Sequence, residues 1–176
     1  MAKIIKVHKE QLPALKVIGI KYTNADRDES GGYGQLWHQW MTENKFEALQ
    51  KMPTIPYIES GVVGFMRHKP DDFKQTFEYW IGMFFADDTV VPEGFDSIHV
   101  EAGVIATCWI QGNSDDGSIY KMHDKCLEAM RTNAMSEIRV GADGYVEFFE
   151  RYNDERFGRV DENGERILDY CVYISE

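Results

Sequence analysis

Basic residues are scarce in this sequence. Nineteen Lys and Arg stand against 30 Asp and Glu, a formal net charge of -11 over 176 residues. A surface of that sign repels phosphate backbones and anionic lipid, which argues against direct contact with nucleic acid or a membrane surface. Long apolar runs are missing too. No segment reaches the roughly 20 apolar residues that span a bilayer, and the opening Met-Ala-Lys-Ile-Ile-Lys-Val-His lacks the apolar core of a secretory leader. A cytoplasmic location is expected. Cysteine is rare, and Cys108, Cys126 and Cys171 stand singly in apolar stretches without paired spacing. They read as small buried hydrophobes rather than a disulfide framework.

Several chemical signatures are also lacking. His8, His38, His68, His99 and His123 are scattered, none at ligand spacing with another donor on an expected helix or loop, so no metal site is expected. Ser30-Gly31-Gly32-Tyr33-Gly34 has neither the lysine nor the spacing of a phosphate loop, which leaves nucleotide binding unsupported and no cofactor expected. No serine sits between glycines at the offsets of a nucleophile elbow, so a serine hydrolase is not expected.

What is present is regular. Residues 14–22 are rich in branched side chains and read as a strand after the stop at Pro13. Beyond the polar loop 24–32, Tyr33, Leu36, Trp37, Trp40 and Met41, then Ala48, Leu49 and Met52, recur at helical spacing up to Pro53. A loop with Pro53 and Pro56 leads to strands at 61–68 and 77–85. After the acidic connection 87–94 the order returns: a strand at 104–111, a turn, a helical stripe from Ile119 to Met130, and strands at 144–152 and 167–174. Strand, helix, strand, strand is thus read twice, in pseudo-repeats of roughly 1–90 and 91–176 within one domain. Gly61 to His68 lies over Gly144 to Arg151 with glycine, valine and phenylalanine in matching places. The expected architecture is α+β: two antiparallel sheets, one from each unit, joined edge to edge around a central concave cleft. Arg67 and Glu150 would then face each other across it and could pair.

The stretch Gly144 to Asn153 carries the chemistry. Alternation puts Tyr145, Glu147, Phe149 and Arg151 on one strand face and Val146, Phe148, Glu150 and Tyr152 on the other, where Glu150 is the only charge. A carboxylate between aromatic neighbours is costly to bury without a partner or a use. The alternative is a shifted or edge strand with Glu150 in water. If it is buried, desolvation would raise its pKa, and a cationic ligand would lower it again and be held by it. The same group could pass a proton or direct a water, with the Tyr152 phenol bonding a ligand or an oxyanion. Trp80, Phe84, Trp109 and Tyr173 offer flat apolar walls for planar or cationic ligands. Trp37 and Trp40 lie on the helical stripe, where core is the simpler reading.

Val146-Glu147-Phe148-Phe149-Glu150-Arg151-Tyr152, followed by the terminal strand from Asp169 to Ser175, resembles the gyrase-inhibitor-like small-molecule-binding domain. So do the opening Leu12 to Gly19, Tyr79-Trp80-Ile81-Gly82, and Val91 to Phe95 before Val100 to Gly103. This is the effector-binding domain found in AraC-type and multidrug-responsive regulators. The resemblance implies a duplicated fold around a cleft in which the glutamate matching Glu150 meets lipophilic cations among aromatic rings. It also implies that some stand-alone members hydrolyse electrophilic compounds with that glutamate. The candidate ligand-binding set is therefore Glu150, Tyr152, Phe148, Trp80, Phe84, Trp109, Arg67, Tyr173 and Trp37, with Glu150 and Tyr152 catalytic if the protein is an enzyme. No helix-turn-helix segment precedes residue 14, so the expectation is a stand-alone binder of a small hydrophobic or cationic molecule, for sensing or sequestration. Hydrolysis by Glu150, and inhibition of a protein partner such as gyrase or a regulator, are the other two classes.

Overall fold

A computed structural model describes residues 1–175 apart from 56, 57, 60 and 136; Pro56 thus lies outside the described residues. Eight strands form one antiparallel sheet. In chain order the elements are β1 (Lys3–Leu12), β2 (Leu15–Thr23), α1 (Gly34–Thr42), α2 (Phe46–Gln50), β3 (Val62–His68), α3 (Phe73–Thr76), β4 (Glu78–Ala86), β5 (Asp96–Val100), β6 (Gly103–Gly112), α4 (His123–Thr132), β7 (Val146–Tyr152) and β8 (Arg166–Ile174). The strand order is β1-β6-β8-β7-β3-β4-β2-β5. The expected pair of sheets is corrected here, because β3 and β7 hydrogen bond in register, Gly64 opposite Glu150, and fuse the two groups into one surface. The two outer strands cross over: β1 leads into β2 but pairs with β6, and β5 leads into β6 but pairs with β2.

The expected helix over 33–52 is broken in two. Asn44 takes the left-handed conformation, φ 52°, which ends α1 and redirects the chain into α2; asparagine tolerates that region better than a branched residue. The second helical stripe also starts differently, with residues 118–121 forming a 3-10 turn before α4 begins at His123. Among the described residues no helix is long and apolar enough to cross a membrane.

Alternation divides the sheet into two faces. One carries the helices: α1 and α2 pack Trp40, Phe46 and Leu49 on Ile18, Tyr79, Ile81 and Phe85, while α4 packs Cys126 and Met130 on Ala106, Cys108, Tyr170 and Val172. Among the described residues no helix packs on the other face, yet Phe65, Phe149, Cys171 and Tyr173 on it are fully buried. Val17 of β2 and Ile105 of β6 join one cluster there although four strands separate β2 from β6. The sheet therefore curls until this inner face fills with its own side chains. All three cysteines are free and buried.

Curling needs room between β2 and β4. Gly19 and Gly82 face each other, and a Cβ on either would stand 2.1 or 2.2 Å from a backbone oxygen of the neighbouring strand. Backbone cannot yield as a side-chain tip can, so Gly19→Ala is expected to cost about 1–3 kcal/mol. Urea unfolding monitored by tryptophan fluorescence measures it.

Candidate functional site

The helices cover the two flanks of the outer face and leave its middle open. Between α1 and α2 on one side and the 118–121 turn with the start of α4 on the other lies a cleft of about 1200 Å³. Its floor is β3 and β7, presenting Val62, Met66, Phe148, Glu150 and Tyr152, with Tyr79 beside them. Tyr33, Trp37 and Phe46 form one wall, and Tyr120 and His123 the other.

Glu150 lies near the middle of this floor, only 6 % exposed. Its two oxygens are separately engaged. Oε2 accepts from the Tyr152 hydroxyl at 2.7 Å, and Oε1 lies 2.8 Å from Nε2 of His123, which donates when that nitrogen carries the proton. These bonds stand in for the water that burial removed, which is how a carboxylate is tolerated here. His123 is itself fixed by stacking on Tyr170, with ring centroids 4.2 Å apart and planes 12° apart.

Aromatic side chains continue from that point along the cleft. Tyr33 stacks on Tyr79 at 4.0 Å, Trp37 lies 4.7 Å from Tyr152, and Tyr152 meets Phe157 edge-on at 4.8 Å. Trp37 Nε1 donates to the Tyr79 hydroxyl at 2.8 Å. Among the described residues that hydroxyl has no acceptor for its own proton, so it can still donate. Burial, reinforced by the charge on Glu150, pushes the phenols of Tyr152 and Tyr79 well above their ordinary range, and that of Tyr120 up to about 12. All three stay neutral around one carboxylate.

The floor depends on Gly64, opposite Glu150. A Cβ there would stand 2.7 Å from the Tyr79 hydroxyl and 3.4 Å from Trp37 Cζ2. Gly64→Ala is expected to push the phenol into the cleft, weakening ligand binding severalfold for about 1–2 kcal/mol of stability, as overpacking does. Paired ligand titration and urea unfolding would separate the two effects.

Of the residues singled out in the sequence, Glu150, Tyr152, Phe148 and Trp37 line the cleft. The others do not. Trp80, Phe84 and Tyr173 belong to the buried cluster of the inner face. Trp109, by strand parity on that same face, is held between Lys6 Nζ at 4.1 Å and the Arg156 guanidinium at 4.5 Å. Arg67 does not pair with Glu150; it binds Glu78 at 2.8 Å and Asp143 at 2.7 Å and stacks over Tyr145. The cause is parity. Glu150 lies opposite Gly64, and Arg67, three residues further on, points through the other side of the sheet.

Among the cleft residues that the sequence reading did not assign are His123, Tyr79, Tyr120 and Tyr33. The available signal for His123 was a polar ring in an otherwise apolar stripe, and for Tyr79 the face opposite to Trp80. No group of three or more His, Cys, Asp or Glu gathers as metal ligands among the described residues.

Residues 5–157 match the family described as the GyrI-like small molecule binding domain. The chain belongs to that family. Three solved structures resemble this GyrI-like domain along nearly its whole length. One, from Staphylococcus aureus MU50 and described as a bacterial transcription regulation protein, has a TM-score of 0.67 at 17% identity, covering 98% of this chain and 99% of its own. SAV2435 bound to tetraphenylphosphonium also gives 0.67 at 17% identity, over 97% of this chain and 94% of that one. EcmrR, in a complex with DNA, gives 0.57 at 11% identity, over 97% of this chain and 57% of that longer one. At these identities the likeness is one of fold. Curated protein sequences give no match.

Proposed function

We propose that this domain works on its own as a receptor for a small lipophilic cation, for sensing or sequestration. One observation carries the reading: a nearly buried carboxylate, Glu150, in an open cleft whose other surfaces are mostly aromatic. An onium ion placed there would gain the charge of Glu150 and the negative faces of Trp37, Tyr79 and Tyr152, in a site where little water competes. The cleft volume exceeds that of most single drug-sized ligands, so bulky cations fit. SAV2435, of the same fold, is bound to a cation of this class. Titration with tetraphenylphosphonium is expected to quench tryptophan fluorescence saturably, with Trp37 in the cleft as reporter. If tetraphenylphosphonium and a panel of other lipophilic cations produce no saturable signal, the reading falls.

The second reading is hydrolysis of an electrophilic small molecule. It is favoured by the bonding of Glu150 to both His123 and Tyr152, since a carboxylate linked to an imidazole can accept and pass on a proton. Turnover of reactive electrophiles that disappears in Glu150→Gln would establish it, and saturable binding without turnover would dismiss it.

A further inference from the structure

We propose that His123 is a specificity-determining residue of the cleft, a built-in occupant of the charge site on Glu150 that an incoming cation must displace. This rests on the reading that Glu150 receives a cation, and adds what holds that place beforehand.

Three observations support it. First, the Nε2 of His123 stands 2.8 Å from Glu150 Oε1, where the positive group of a ligand would gain most from the carboxylate. Second, the two contacts to Glu150 differ in freedom. Tyr152 projects from the same strand, while His123 reaches Glu150 from a different element, its side chain 32% exposed at the cleft wall and held, among the described residues, by stacking on Tyr170 rather than by a second hydrogen bond. Third, His123 is the first residue of α4. The helix dipole there opposes a positive imidazole, and a ligand taking over Glu150 removes the carboxylate in hydrogen-bond contact with the ring.

The surroundings make the exchange sensitive to pH. Facing His123 are Glu150 and Tyr152 on β7 and Tyr170 on β8; Tyr120, Lys121, Asp124 and Cys126 lie on the turn and helix that carry it. Asp115, Asp154 and Arg166 line the cleft nearby. The phenols and the Cys126 thiol are held neutral by burial and neighbouring bonds. Imidazole is the side chain in this set that ordinarily changes charge between about pH 5 and 8. Protonated His123 and a bound cation compete for one carboxylate, so each disfavours the other by the same factor. Acid should therefore weaken cation binding, and binding should expel a proton.

The test is calorimetric titration of the whole chain with tetraphenylphosphonium and with uncharged triphenylphosphine oxide, from pH 5.5 to 8, in buffers of differing ionisation enthalpy. The wild-type protein should bind the phosphonium more tightly as pH rises, by up to about tenfold per unit, with up to one proton released. The oxide should show neither effect. His123→Gln keeps a neutral donor toward Glu150, and should abolish the slope and bind the phosphonium several-fold more tightly than wild type at pH 5.5. His123→Phe, which keeps the stacking on Tyr170, should be equally flat. A slope that survives in both variants assigns the proton to another group and overturns the proposal. So does Glu150-dependent phosphonium binding that is flat with pH in the wild type, an outcome that leaves the receptor reading intact. Failure of the phosphonium to bind at any pH overturns both.

Discussion

Replacing Glu150 with glutamine is expected to lower the affinity for a lipophilic cation by about 10- to 100-fold, the worth of roughly 1.5–3 kcal/mol for a contact with a charged group. The substitution preserves shape. The amide oxygen can still accept from Tyr152, and the aromatic walls are untouched. What disappears is the charge, in a place where burial keeps it from being screened. An uncharged ligand of the same size should bind Glu150→Gln as well as it binds the wild type. The folded protein should be no less stable, since an amide costs less than a carboxylate to keep from water. Fluorescence titration of both proteins with a charged and an uncharged ligand checks all of this. Equal loss for the two ligands would mean a disturbed cleft rather than a missing charge.

The largest effect on stability is expected at Arg151, on the inner side of β7 and 2% exposed. Its Nε donates to Asp169 at 2.9 Å, and its two terminal nitrogens reach Glu10 at 3.2 and 2.9 Å. Arg156 binds the same Asp169 from the other side, with its Nε at 2.9 Å, and closes onto Glu59. Arg151→Met should cost about 3–5 kcal/mol at neutral pH, because it breaks a buried ion-pair network, leaving Asp169 with Arg156 alone and the half-buried Glu10 without its guanidinium. The dependence on pH identifies the cause. Burial alone would raise the pKa of Glu10, but hydrogen bonds and charge from Arg151 outweigh it and hold the group below its ordinary value. A depressed folded value gives stability that is present above the ordinary carboxylate range, near pH 4–5, and is lost as acid carries the pH down through the folded value. Without Arg151 burial is opposed only by the Thr107 hydrogen bond and the charge of His8, so the depression of Glu10 shrinks and the variant should lose less stability than the wild type as the pH falls toward 5. Urea unfolding of both proteins from pH 4 to 8 tests this. A constant difference across that range would trace the loss to packing instead.

Strand parity was enough to bring three of the candidate residues to one face. The alternation in Val146 to Tyr152 isolates Glu150 with Phe148 and Tyr152, and those three share the cleft floor. Parity cannot say which face a sheet curls toward, and here the inward face took Trp80, Phe84 and Tyr173. Nor does it relate two strands whose register is unknown, which is how Arg67 came to be set against Glu150. His123 escaped for a different reason: it follows Met122 and precedes Cys126 at helical spacing, so its place in an apolar stripe hid a polar partner. The strands β1 and β5 went unread because they are the edges of the sheet. Their sequences are broken by Lys3, Lys6, Lys9, Asp96 and Ser97, and edge strands carry such residues against unwanted pairing.

The crossing of those edge strands means that neither four-strand group is self-contained. A chain cut in the 87–94 connection would yield one piece whose first strand has no mate and whose β2 lacks a neighbour, and a second piece with the complementary deficit. Each fragment holds what the other needs. The two should complement when co-expressed and aggregate when made alone, like a clasp of which neither half fastens by itself.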